Sequence, residues 1–500
     1  MNSTKSRLFT LLMIAPLLLA LGACSANPAT GKQSFTAFMS PEKEIQVGAE
    51  EHPKMVKQFG GRYGDKALAT YVRDLGLRLA KTSEMPDLPW TFTLLNDTMV
   101  NAFALPGGYV YVTRGLLALA SDEAELAGVL SHEIGHVTAR HTAQRYSSTM
   151  AANLGVQVLG VLSQAAGLGR AGGDIASIGA NLALKSYSRE QELESDMLGV
   201  RYMTHLGYDP NALVSFFAKL RAHQAIEAKL AGQDASVVDQ HNILATHPRT
   251  ADRVQQAIDL AQKNGQQNGG APVRRGADEY LGRIDGLVFG DDPEQGMARG
   301  NVFIHPTLGF RFEVPDGFKI RNLPDIVMAT HESGAVIKFA GADAKAVRQA
   351  GGMKPFMVRK WGENIGLKNI EWLDINGWKA VTGVATVRTK RGVVDVRRIM
   401  VEQNTKTYWR FQFETPPKET ARLSEALRRT TYSLRAPTPA EVAEADAYRV
   451  RVIDVGPGVR VADLIDAMAI DDMKAEWFEA LNNLKPDAAL TPGQRVKVIK

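Results

Sequence analysis

The chain has 500 residues, 45% of them hydrophobic and 23% charged, the make-up of a globular protein of several domains. That balance excludes a disordered chain, a collagen and a multi-span membrane protein, and a formal charge of +5 is too small and too dispersed to call for nucleic acid. With a single cysteine, Cys24, the chain can make neither an intrachain disulfide nor a cysteine-based zinc site.

The first element in chain order is a targeting signal. Lys5 and Arg7 precede an apolar run from Leu8 to Leu21 that is too short to span a bilayer and has a secretory layout. Leu21-Gly22-Ala23-Cys24 resembles the bacterial lipobox. The resemblance implies a signal peptide at 1–23, lipidation of Cys24 and, with Ser25 next, an outer-membrane lipoprotein facing the periplasm. Residues 24–40 read as a tether. Helical spacing begins at Pro41 and recurs from Lys66 to Lys81, Trp90–Leu95 alternates as a strand, and Ala102–Val112 reads as two short strands around Pro106-Gly107-Gly108. From Ser121, a candidate N-cap, to about Leu260 the pattern is mainly helical. Residues 263–279, which open on a run rich in Gly, Gln and Asn, read as a linker. Residues 280–436 alternate strands with helices and carry no catalytic motif, and a small module occupies 446–500.

His132-Glu133-Ile134-Gly135-His136 carries the chemistry. Residues four apart on a helix share a face, so both imidazoles can grip one ion. Zinc suits such ligands, and Glu133 beside them is placed as general base for a water held at the metal. Apolar Val129, Leu130, Ile134 and Val137 around the pentad place the helix against a core. A third ligand is needed, and Ser188–Asp196 offers carboxylates on a second helix. Glu192 and Asp196 share a face, so one can bind the ion while the other holds a ligand histidine. Spacing does not choose among Glu190, Glu192 and Glu194. His141, His205, His223 and His241 read as structural or exposed. Tyr146–Lys185 holds a long uncharged run, but a single crossing there would part His132 and His136 from Glu192. It reads as a small-residue helical pair over the site.

Asn101–Tyr109, Ser131–His136 and Ser188–Asp196, in that order, resemble metallopeptidase family 48, in its periplasmic lipoprotein branch. The resemblance implies His132, His136 and Glu192 as ligands of one Zn2+ per chain, Glu133 as general base and Asp196 behind a ligand; Ser195 replaces the family's alanine. Thr246-His247-Pro248 with Arg253 resembles the family's His-Pro element, so His247 reads either as a fourth ligand or, with Arg253, as an oxyanion stabiliser. Asn101, Ala102, Phe103 and Ala104 read as an edge strand that pairs with extended peptide. Residues 446–500 resemble a LysM module of βααβ order, with Gly458-Val459-Arg460 where that family has Gly-Asp-Thr. Phe310–Phe318 resembles small α/β domains of photosystem-subunit type. The expected fold class is thus α+β multidomain: a mainly helical zincin-type metalloprotease domain with a small sheet at 41–262, an α+β domain, and a small LysM-like module. The expected function is a zinc metalloendopeptidase that cuts misfolded or stalled envelope proteins, with the outer membrane and peptidoglycan as partners. The alternative is an envelope-assembly chaperone or scaffold with little proteolysis.

Overall fold

The computed structural model describes residues 24–152, 186–231, 255–256, 258–259, 273–363, 365–389 and 392–500. The chain divides into two compact units, Met1–Leu287 with Arg449–Lys500, and Val288–Tyr448.

The first unit begins with a hairpin of β1 (Cys24–Ala26) and β2 (Gln33–Phe35), in which Cys24 lies opposite Phe35. Helix α1 (Pro41–Gln58) is capped by Ser40, whose side chain accepts from the Lys43 amide, and α2 (Lys66–Ala80) is capped by Asp65 in the same way. Along α2 the buried Leu68, Val72, Leu75 and Leu79 form one apolar stripe. Three strands follow: β3 (Thr91–Leu95), β4 (Ala102–Leu105) and β5 (Tyr109–Thr113). The sheet order β3-β5-β4 leaves β4 at one edge, antiparallel to β5, while β3 runs parallel to β5. The β4–β5 turn needs glycine: Gly107 has φ +82° and an added Cβ would stand 2.6 Å from the Ile45 Cα.

Helices α3 (Arg114–Leu119), α4 (Glu123–Thr138), α5 (Arg189–His205), α6 (Asn211–Ala231) and α7 (Ala277–Ile284) complete this part of the unit. Every residue of α4 is buried. Its N-cap is Asp122, which accepts from the Glu125 amide at 2.8 Å, and not Ser121 as the sequence suggested. Ser121 instead accepts from Lys219 at 2.5 Å and donates to the Leu481 carbonyl at 3.1 Å. Arg275 pairs with Asp122 and Arg274 with Glu123, so residues once read as linker are tied to the start of α4.

The chain returns to this unit after residue 448. Strands Tyr448–Asp454 and Arg495–Ile499 pair antiparallel, with helices Val461–Asp466 and Lys474–Asn482 between them, a β-α-α-β order. Lys497 is buried and donates to the carbonyls of Ala118, Leu119 and Ala120 at 2.8, 3.0 and 2.6 Å. Its ammonium therefore closes the C-terminal end of α3, where a positive charge is favoured and carbonyls lack helical partners.

The second unit is built on a seven-stranded antiparallel sheet in the order Lys319–Leu323, Ile326–Thr330, Val336–Ala342, Thr407–Thr415, Gly392–Asn404, Trp378–Thr389, Lys368–Ile375. One face packs an aromatic core of Phe310, Phe312, Phe339, Trp409 and Phe411, to which helix Pro417–Ser433 adds Leu423. No helix among the described residues is long and apolar enough to cross a membrane.

Candidate metal centre

Helices α4 and α5 cross closely because their contact positions are small. A Cβ on Gly135 would lie 2.7 Å from the Ser195 hydroxyl, and one on Gly199 would lie 3.1 Å from the His132 amide nitrogen. Ser195, which spacing gave little weight, donates to the His132 carbonyl at 2.5 Å.

That crossing brings His132, His136 and Glu192 together, all buried, with one ligand atom of each within 4.8 Å of the others. The Nε2 atoms of the two histidines are 2.9 Å apart. Glu192 reaches His136 Nε2 at 3.3 Å and His132 Nε2 at 3.8 Å. Two imidazole nitrogens and a carboxylate converging in a buried spot is a donor set that zinc takes, with a position left for water. The neighbouring glutamates point elsewhere. Glu190 is exposed at the start of α5, and Glu194 faces His141. Glu133, next to His132 on α4, is fully buried beside the cluster.

Each histidine is held from behind. Asp196 lies 2.9 Å from His132 Nδ1. His136 Nδ1 lies 2.8 Å from His141 Nδ1, and His141 Nε2 lies 3.2 Å from Glu194. Burial pushes the His141 imidazole below its ordinary pKa, with Glu194 opposing. Burial would raise the Glu194 carboxyl, but hydrogen bonds from His141 and Thr30 bring it below the usual value. The Tyr187 ring stacks on His136, with centroids 3.8 Å apart and planes at 17°, and the Arg145 guanidinium covers Tyr187 at 3.6 Å. Sequence reasoning missed His141, Glu194's true partner and Tyr187. His141, read from the sequence as structural or exposed, is fully buried and lies behind a candidate ligand.

Asn101 is buried just before β4, and Ala102, Phe103 and Ala104 lie within that edge strand, all buried. Ala104, Pro106 and Gly107 line one small cleft with His136 and Arg140. Cys24 is half-buried in β1. His247, Arg253 and His241 lie outside the described residues, as does most of Tyr146–Lys185, of which 146–152 are helical. His205 is exposed, and His223 makes an edge contact with Trp477 at 5.4 Å.

Residues 66–261 match the family model Peptidase family M48. A putative beta-barrel assembly-enhancing protease of Vibrio cholerae is 34% identical over 234 residues, which is 44% of this chain and 45% of that protein. The beta-barrel assembly-enhancing protease of Escherichia coli is 27% identical over 267 residues, 50% of this chain and 52% of that one. The mitochondrial metalloendopeptidase OMA1 of Schizosaccharomyces pombe is 30% identical over 205 residues, 40% of this chain and 56% of that one. The chain thus spans about half the length of the relatives it matches. A cyanobacterial PsbP from Synechocystis aligns over 30% of this chain and 98% of its own, at 13% identity and a TM-score of 0.21.

Proposed function

We propose, from the premise that residues 66–261 form a peptidase family M48 domain, that this protein is a zinc-dependent metalloendopeptidase of the bacterial cell envelope. The observation that carries the reading is the buried cluster of His132, His136 and Glu192, with Glu133 on the same helix and an edge strand beside it. Zinc held there would supply a Lewis acid that polarises a peptide carbonyl and makes water acidic enough to attack at neutral pH. The chain's own residues do the rest. Glu133 takes the proton of the attacking water and passes it to the departing amine. Asp196, at 2.9 Å from Nδ1, fixes the His132 ring. Strand β4, at the edge of its sheet among the described residues, offers its backbone to an extended segment, which gives affinity through the main chain and only loose side-chain preference. Such a site suits unfolded protein. His247 and Arg253 are assigned to oxyanion stabilisation or, for His247, to a fourth ligand position.

The address belongs to the same proposal. Cys24 is the lipidated first residue of the mature chain, anchored to the outer membrane with the peptidase in the periplasm. Misfolded or stalled envelope proteins are the substrates, in keeping with the names of the bacterial relatives. Residues 446–500 are a LysM-like module and give a contact with peptidoglycan, which co-sedimentation of the full chain with sacculi tests.

Mass spectrometry of unfolded client proteins incubated with zinc-loaded chain tests the activity. Cleavage is expected, lost in chelator, restored by zinc, and reduced about 10²–10⁴-fold in Glu133→Gln. Cleavage that survives Glu133→Gln sinks the mechanism. Client binding without cleavage under every condition favours a scaffold or chaperone instead.

A further inference from the structure

The segment between Cys24 and Phe35 does more than link the peptidase to whatever lies before it. Asn27 is buried and its carbonyl oxygen accepts from the amides of Ala29 and Thr30, at 2.9 and 3.3 Å, which fixes its side-chain amide. That amide donates to Glu194 at 3.3 Å, the Thr30 hydroxyl donates to the same Glu194 oxygen at 2.7 Å, and Lys32 lies 3.9 Å away. On the other side, Ser25 accepts from Arg140 at 2.9 Å, and Arg140 also holds Glu44 and the Met39 carbonyl. Arg140 has φ +56°, a left-handed conformation that ends α4 and turns the chain so that His141 comes back against His136. The hairpin is thus clasped at two points, at Glu194, which meets His141, and at Arg140, the residue before His141.

We propose that this N-terminal hairpin is the outermost layer of the metal centre, fixing the tautomer and orientation of His136 through Glu194 and His141. The inference rests on the metalloprotease reading. Its logic is a chain of donors and acceptors. With the Nε2 lone pair of His136 turned to the metal, its proton sits on Nδ1 and must find an acceptor. His141 Nδ1, at 2.8 Å, accepts it, so the His141 proton sits on Nε2 and is donated to Glu194 at 3.2 Å. Glu194 can only accept, and its second oxygen is filled by Asn27 and Thr30. Every position in the chain admits one proton arrangement. Where His132 has a carboxylate directly behind it, His136 has an imidazole and then a carboxylate, and the carboxylate is positioned by residues three to six places after Cys24. These are positioning residues; none touches substrate.

The test uses the chain from residue 24 onward with four variants, His141→Phe, Glu194→Ala, Glu194→Gln and Thr30→Val. Two quantities are read: the zinc dissociation constant, by competition with a chromophoric chelator, and the thermal midpoint of the metal-free chain. Loss of an outer partner of a ligating histidine typically costs about 10–100-fold in metal affinity. His141→Phe is expected in that range, Glu194→Ala about tenfold, Thr30→Val about twofold. Glu194→Gln, which keeps an acceptor for His141, stays within about threefold of the parent. Zinc affinity unchanged in His141→Phe and Glu194→Ala, with only the metal-free midpoint lowered, would reduce the hairpin to packing and overturn the proposal. A parent chain that binds no zinc defeats the metalloprotease reading itself, an outcome distinct from that one.

Discussion

The two compact units bury different chemistry. In the unit that carries the metal centre, Glu44, Glu123, Glu125, Glu192, Asp196, Lys219 and Lys497 are all buried. In the other, the sheet and its long helix close over aromatic rings, with Phe339 packed between Phe310, Phe312, Trp409 and Phe411 at centroid distances of 4.7–5.4 Å. Burying charge costs several kcal/mol per ion and is recovered only when partners are well placed, whereas phenylalanine rings carry no polar atom that needs a partner. The first unit therefore holds its ionisable groups in fixed places, as a reaction centre requires. The second holds its core mainly through contacts between rings. Among the described residues, the cluster of His and Glu side chains able to hold a metal ion lies in the first unit.

The sharpest way to break this contrast is to strip one partner from a buried pair. Glu125 accepts from both Lys219 and Ser215 and from the Ser121 amide, at 2.7–2.8 Å. Glu125→Ala leaves the Lys219 ammonium buried without its carboxylate, and equilibrium denaturation is expected to show a loss of roughly 5 kcal/mol. Zinc affinity should fall with it. Phe339→Ala in the second unit should cost roughly 4 kcal/mol through the cavity it opens, yet leave zinc affinity within twofold. A fall of tenfold or more there would erase the distinction between the units. The smallest effect is pH-dependent. Burial pushes the Glu44 carboxyl up to about 7, against the pull of Arg140. The folded state then holds that proton more tightly than the unfolded chain. This contribution is full below pH 4.5 and is lost as pH rises through 7, a change of roughly 3 kcal/mol. Glu44→Gln, neutral throughout, should flatten that part of the stability profile between pH 5 and 8; a profile unchanged by the substitution would show that Glu44 is ionised across the range.

The core of the site was legible because it obeys one helical period. His132 and His136 are four apart on α4, and Glu192 and Asp196 are four apart on α5, so each pair lies on a single face. Choosing among Glu190, Glu192 and Glu194 was not possible from spacing, since all three sit within five residues and the choice depends on how α5 rolls against α4. The glycines at 135 and 199 set that roll, and their role appears only when the helices are seen in contact. His141 escaped for a different reason. It is five residues from His136, off the helical period, and Arg140's positive φ is what returns it to the site. Tyr187 and the hairpin residues come from chain segments with no periodicity to read. Buried lysines such as Lys497 are illegible in principle, because lysine in a strand reads as solvent-facing until its carbonyl partners are known.

Lys497 also sets an order of events. It closes α3 from the last strand of the chain, while all of Val288–Tyr448 lies between that strand and the rest of its unit. During synthesis the helices of the metal centre emerge hundreds of residues before the group that completes the end of α3. The Ala118, Leu119 and Ala120 carbonyls must wait for it. The finished end of α3 therefore depends on a residue 377–379 places further along the chain, so this part of the unit is completed by a contact between segments far apart in sequence.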